Sequence, residues 1–137
     1  MHHIVKTQQF TRSSLDQLFA LADRLEKGRD ESLKGKILAS LFYEPSTRTR
    51  LSFESAMMRL GGNVISMENA SESSSATKGE TLEDTIRIVD NYADVIILRH
   101  PEAGASERAS LVSDIPVINA GEGTGQPPTQ ALLDLYT

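Results

Sequence analysis

An α/β chain, with a parallel sheet of about four strands and helices on both faces, is predicted by three observations. Short apolar runs such as Lys36–Tyr43 and Asp94–Leu98 have the length of buried strands. Between them lie segments whose apolar residues return every three or four positions, the period of a helix. Because the two kinds of segment alternate along the chain, the strands are expected to run parallel and to be buried on both sides.

The spacing of Leu15, Leu18, Phe19, Ala22 and Leu25 predicts a first helix from about Ser13 or Ser14 to Lys27, with Gly28 as its stop. The first strand, Lys36–Tyr43, hands over to a helix marked by Leu51, Phe53, Ala56, Met57 and Leu60, which Gly61-Gly62 ends. Asn63–Met67 reads as a second strand. Glu68 to Glu80 is polar, serine-rich and without apolar period, so by composition it is a connector. Thr81 with Asp84 marks the N-cap of a helix carrying Leu82, Ile86 and Val89. Asp94–Leu98 is the third strand, ending on Arg99-His100-Pro101. A helix of small residues follows from Glu102 to Ser113, and Pro116–Asn119 is the fourth strand. Ala120 to Pro128 reads as a glycine-rich loop, and Thr129 to Thr137 as a last helix with Leu132, Leu133 and Leu135.

The 137 residues fit one domain with a sizeable core, with no internal repeat and no dividing linker. Fourteen basic against nineteen acidic residues give a net charge of −5, which argues against a nucleic-acid surface and confines any anion site to a local pocket. With no cysteine there is no disulfide framework and no thiolate chemistry, and a reducing cytoplasm is the compatible setting. No apolar run has membrane-spanning length, and no signal-peptide core follows His2-His3. Three scattered histidines give no metal-ligand spacing, and Gly121-Glu122-Gly123-Thr124-Gly125 is not a dinucleotide fingerprint, so no metal and no cofactor are expected. Asn69-Ala70-Ser71 fits a glycosylation sequon by chance.

The chemistry concentrates where strands end, which is where ligands gather in such sheets. Ser46-Thr47-Arg48-Thr49-Arg50 stands at the strand-to-helix junction, where unpaired helical N–H groups and the helix dipole favour an anion. Arginine adds a planar fork that can hold two phosphate oxygens. Arg99-His100 ends the third strand and Asn119 to Gln130 follows the fourth. One pocket with Arg48 and Arg99 facing a shared anion is expected. Glycines at 121 and 123 would let backbone approach a ligand closely.

The run Ser46-Thr47-Arg48-Thr49-Arg50-Leu51-Ser52-Phe53-Glu54 resembles the carbamoyl-phosphate signature of the carbamoyltransferase family. Arg99-His100-Pro101, the loop ending Lys78-Gly79-Glu80, and Asn119-Ala120-Gly121-Glu122-Gly123 resemble its aspartate branch rather than its ornithine branch. The resemblance implies that Ser46, Thr47, Arg48, Thr49, Arg99 and Gln130 bind carbamoyl phosphate. It implies that Arg48, Thr47 and Thr49 hold the leaving phosphate, that Thr49 and Arg99 polarise the carbonyl, and that Gln130 orients the amide. Ser74 and Lys78 would serve the active site of a neighbouring subunit in a homotrimer. The reaction implied is attack of the L-aspartate α-amine on carbamoyl phosphate, early in pyrimidine synthesis, with Arg48, Thr49 and Arg99 as the catalytic groups and no covalent intermediate.

Two departures accompany the resemblance. Gln126-Pro127-Pro128-Thr129-Gln130 stands where the family has Gln-His-Pro-Thr-Gln, so Pro127 replaces a histidine that bonds the carbamoyl oxygen. Proline offers neither a side-chain donor nor an N–H. The chain also ends inside a helix pattern at Leu135-Tyr136-Thr137, so it is expected to hold only the first of the family's two domains, without the aspartate-binding one, and to be inactive alone. An ornithine-type domain and a non-catalytic phosphate-binding module are the competing readings.

Overall fold

The computed structural model describes residues 2–28, 30–68 and 78–137. Its elements in chain order are a 3-10 turn Thr7–Gln9, α1 (Arg12–Glu26), β1 (Ile37–Phe42), α2 (Thr47–Arg59), β2 (Asn63–Met67), α3 (Leu82–Val89), β3 (Val95–His100), α4 (Ala105–Val112), β4 (Val117–Glu122) and α5 (Pro128–Tyr136). The strands form one parallel sheet in the order β2-β1-β3-β4. After β1 the chain moves outward to β2 and then returns to lay β3 on the other side of β1. The carboxyl ends of β1 and β3 therefore flank the point where the winding reverses, which is where a crevice opens in such sheets.

Strand alternation sorts the core into two layers. Ala39 and Leu41 of β1, Ile96 and Leu98 of β3 and Val117 of β4 face α3 and α4, where they meet Leu82, Ile86, Val89, Ala105 and Ala109. Leu38, Phe42, Ile97 and Ala120 face the other way, onto Met57 and Phe53 of α2. Each large aliphatic side chain buried in these layers contributes about 1.5–3 kcal/mol. The same alternation carries on to the strand ends: Arg99 continues the face of Ile97 toward α2, while His100 continues the face of Leu98 toward α3 and α4.

The elements depart from their sequence reading mainly at their ends. α1 starts one or two residues early because Thr11 caps it, with reciprocal bonds between Thr11 and Ser14. None of its residues is buried, so its apolar stripe finds only partial cover. α4 begins at Ala105 rather than Glu102, because Gly104 adopts a left-handed conformation just before it. β4 runs on through Glu122, so Ala120–Glu122 belong to the sheet and the loop is confined to 123–127. What prolongs β4 is pairing. Ile4 bridges its outer edge, Asn119 N–H donates to the Ile4 carbonyl (2.7 Å), and Gly123 N–H donates to the His100 carbonyl (3.1 Å). Among the described residues no helix is long and apolar enough to cross a membrane.

Candidate functional site

Ser46 is the N-cap of α2, yet its side chain makes no capping hydrogen bond. The first helical bond runs from Arg50 N–H to the Ser46 carbonyl (3.0 Å), so the amides of Thr47, Arg48 and Thr49 precede any helical acceptor. Arg48 is exposed and forms no ion pair among the described residues. Arg50, two positions on, is committed elsewhere: its guanidinium binds Glu54 (3.0 Å) and Glu68 (3.1 Å). Burial pushes the Glu54 carboxyl up, but hydrogen bonds from serine hydroxyls, Ser66 among them, and from Arg50 outweigh it and hold the group below the ordinary glutamate range. Of the two arginines in the signature, one has no ion-pair partner among the described residues and the other fastens α2 to the end of β2.

Facing this turn across an open cleft of about 320 Å³ is the start of α5. Arg48, Thr49, Ser52 and Phe53 line one wall, and Pro127, Thr129, Gln130 and Leu133 the other. Two helix N-termini thus approach one space, and both favour negative charge there. Pro127 is the N-cap residue of α5 and its carbonyl accepts the Gln130 N–H (3.0 Å), so the part of the 126–128 run that lines the cleft offers no donor. Gln130 lines the cleft as expected, but its amide donates along its own helix to Asp134 (3.1 Å) and must turn away from that partner to meet a ligand.

Arg99 is not among the residues lining this cleft. Its Nη1 donates to the Ala120 carbonyl (3.0 Å), and its Nε lies 3.2 Å from Glu44 Oε1, close enough for an ion pair but poorly directed for a hydrogen bond. The guanidinium is tucked against Gly121. There β4 carries an irregularity in its pairing with β3, and Gly121 has φ +122, a conformation in which L side chains are strained. A Cβ on Gly121 would collide with the Arg99 Nη1. The close approach that this glycine permits is made by the arginine. Neither Glu44 nor this packing was singled out from the sequence; Glu44 stood beside the signature, but nothing in the spacing tied it to a residue 55 positions away.

The remaining predicted residues separate. His100 packs against Tyr43 in a tilted ring contact (centroids 4.8 Å apart), and its Nδ1 accepts the Glu102 N–H (3.0 Å). Burial holds its pKa below the ordinary histidine value, in keeping with a neutral ring that accepts a hydrogen bond. Strand alternation explains why Arg99 and His100, adjacent in sequence, do not share a site. Asn119 is buried and structural: its amide donates to the Val5 carbonyl (3.0 Å) and its Oδ1 accepts from Gly121 N–H (2.8 Å), which sets the backbone beside Arg99. Lys78 is exposed one residue ahead of Gly79. Ser74 and the sequon Asn69-Ala70-Ser71 lie outside the described residues.

Comparison with known proteins gives this arrangement a context. The family described as "Aspartate/ornithine carbamoyltransferase, carbamoyl-P binding domain" matches residues 2–137. The chloroplastic aspartate carbamoyltransferase of Oryza sativa is 57% identical over 144 residues, covering 98% of this chain and 40% of the relative. The aspartate carbamoyltransferase catalytic subunit of Methanopyrus kandleri is 54% identical over 138 residues, covering 98% and 44%. Among solved structures, the catalytic subunit of M. jannaschii aspartate transcarbamoylase superposes with a TM-score of 0.91 at 51% identity, covering 99% of this chain and 46% of that one. Aspartate transcarbamoylase from Trypanosoma cruzi with carbamoyl aspartate and phosphate follows at 0.89 and 44% identity. The chain spans less than half the length of each of these relatives. It belongs to the carbamoyl-phosphate-binding domain family of the aspartate and ornithine carbamoyltransferases.

Proposed function

We propose that this chain binds carbamoyl phosphate in the cleft between α2 and α5, as the first half of an aspartate carbamoyltransferase. The observation that carries the reading is the pairing of Arg48, which has no ion-pair partner among the described residues, with the free N–H groups of the α2 first turn, on a cleft whose far wall carries Gln130. Ser46, Thr47, Arg48 and Thr49 take the phosphate. Arg99, brought round from Glu44, joins Thr49 in polarising the carbonyl, and Gln130 takes the amide. The aspartate branch, rather than the ornithine one, is favoured by the names of the relatives at 54–57% identity.

Attack of the L-aspartate amine on the carbamoyl carbon would release phosphate into this arginine-rich turn, so the protein acts by positioning and charge rather than by a covalent intermediate. The larger part of each relative lies outside the matched stretch, and contacts to aspartate are assigned to that part. A homotrimer in which Ser74 and Lys78 reach a neighbouring site belongs to the same proposal, as do a place in pyrimidine synthesis and a cytoplasmic location. Pro127 favours one other reading, a phosphate-binding module without turnover, because it removes a donor from the wall that faces the carbonyl.

The site is tested residue by residue by following backbone amide resonances during titration with carbamoyl phosphate. The amides of Thr47, Arg48 and Thr49 should move most; saturable binding that leaves them unmoved contradicts the placement. Glu44 competes with the ligand for Arg99 in this arrangement. Glu44→Gln is therefore expected to tighten anion binding by about 1.5- to 5-fold, the scale of one exposed charge pair. A calorimetric Kd unchanged or weakened in that variant would show that Arg99 does not move onto the ligand.

A further inference from the structure

Arg108, on α4 and outside the cleft, grips two segments: the turn that follows Arg99, and the start of α3, whose stem carries the Lys78 assigned to a neighbouring subunit's site. Its Nε lies 2.7 Å and its Nη2 3.5 Å from the two carboxylate oxygens of Glu83, in the first turn of α3, and its Nη1 lies 2.9 Å from Glu102, in the turn after Arg99-His100-Pro101. An ion pair within a single helix, such as Arg87 with Asp84, connects nothing that the helix does not already connect. Arg108 joins residues from three elements.

Both segments are otherwise ordered locally. The α3 start is capped by Thr81, whose hydroxyl accepts the Asp84 N–H (3.1 Å), and Thr85 donates to the Glu80 carboxylate (2.8 Å), so its first turn and the adjoining Lys78-Gly79-Glu80 stem form one unit. The Arg99 segment is held through Tyr43 N–H to the Arg99 carbonyl (2.8 Å), Gly123 N–H to the His100 carbonyl (3.1 Å) and Glu102 N–H to His100 Nδ1 (3.0 Å). In the first turn of α4, the Ser106 N–H is taken by the Glu122 carboxylate (2.9 Å), which fastens the same helix to the end of β4. Among the described residues, Arg108 supplies the ion-pair tie between the start of α3 and the turn after Arg99.

We infer that Arg108 is a positioning residue for the anion sites: one guanidinium, holding Glu83 and Glu102 together, keeps the Lys78 stem, which serves a neighbour's site, in fixed relation to the Arg99 turn of the chain's own. The inference rests on the proposed carbamoyl-phosphate site. A planar fork can grip two carboxylates at once, whereas a lysine ammonium keeps the charge without that geometry.

The test is a calorimetric titration with carbamoyl phosphate of the chain, of Arg108→Met, Arg108→Lys and Glu83→Gln, and of the Arg108→Met/Glu83→Gln double variant, with amide exchange followed at Thr81–Thr85 and His100–Glu102. Arg108→Met and Arg108→Lys are each expected to weaken binding by about 3- to 10-fold, the usual size of coupling through a residue that does not touch the ligand. The double variant should be no worse than Arg108→Met alone, because both substitutions break one link. Exchange should speed up in both segments together. Unchanged affinity in Arg108→Met, wild-type affinity in Arg108→Lys, additive losses in the double variant, or faster exchange in only one segment would each overturn the inference. A wild-type chain that binds no carbamoyl phosphate would sink the proposed function and the role of Arg108 with it. Binding in the wild type that survives every substitution at Arg108 overturns that role alone.

Discussion

Replacing Gly121 with alanine should cost the chain about 1–3 kcal/mol of stability and weaken its anion binding by about 10- to 100-fold. The stability cost arises because an L residue is forced to a backbone conformation near φ +122, in a sheet whose pairing cannot relax freely. The loss of binding has a separate cause. The new methyl group would occupy the space of the Arg99 guanidinium, which is the far end of a flexible chain and can be pushed aside. The fold therefore survives while the arginine loses the Ala120 carbonyl that anchors its Nη1, and with it the position from which it can turn from Glu44 to the ligand. Losing one charged donor to a phosphate costs about 1.5–3 kcal/mol. If displacement of Arg99 is the cause, Gly121→Ala combined with Arg99→Ala binds no worse than Arg99→Ala alone. Independent, additive losses would show that Gly121 acts on the ligand through its own backbone. Thermal unfolding measured beside the titration separates the two costs.

The second large effect is expected at Pro127, and it should appear in turnover rather than in binding. A donor aimed at the carbamoyl oxygen is worth most when negative charge builds there, so its gain is realised in the transition state. With this chain fused to the remaining part of the M. jannaschii relative, Pro127→His is expected to raise kcat about 10²- to 10³-fold. The Kd for carbamoyl phosphate should change by no more than about 3-fold. The substitution also gives up the stiffness of a proline at the α5 N-cap and should lower stability by about 0.4–1 kcal/mol. Equal turnover with either residue, in a fusion that binds both substrates, would mean that position 127 does not serve the carbonyl. Inactivity of the Pro127 fusion together with tight phosphate binding would favour the non-catalytic reading.

Much of this molecule was legible in its residues because the fold is built from local, repetitive signals. The apolar runs Lys36–Tyr43 and Asp94–Leu98 sit in the two central strands, where burial on both faces demands continuous hydrophobicity. Thr81 capped α3 as its spacing to Asp84 implied. The end of β4 was not legible. Asn119-Ala120-Gly121-Glu122 has a loop's composition, and only pairing with Ile4 and with β3 holds it in the sheet. Nor could Thr11 be told from Ser13 or Ser14 as the cap of α1, since all three have the right hydroxyl.

The candidate site divides along the same line. The Ser46–Thr49 turn could be found because its chemistry lies in consecutive residues at a strand-to-helix junction. The separation of Arg99 from His100 follows from strand alternation, which was available in principle once β3 was extended by two residues. Glu44 against Arg99, Gln130 against Asp134 and Arg108 against Glu83 are matters of tertiary placement and rotamer, and no periodicity encodes them. Gly121 is instructive for that reason: a glycine that reads as room for a ligand is room for a side chain of the same protein.

The central claim, that the free N-terminal turn of α2 is a carbamoyl-phosphate site, is tested most directly by calorimetric titration of this chain with fresh carbamoyl phosphate, beside inorganic phosphate and Arg48→Ala. Saturable binding that prefers carbamoyl phosphate to phosphate and is lost in Arg48→Ala is the predicted result. Binding that is indifferent to Arg48, or none at millimolar ligand in a folded chain, would contradict it.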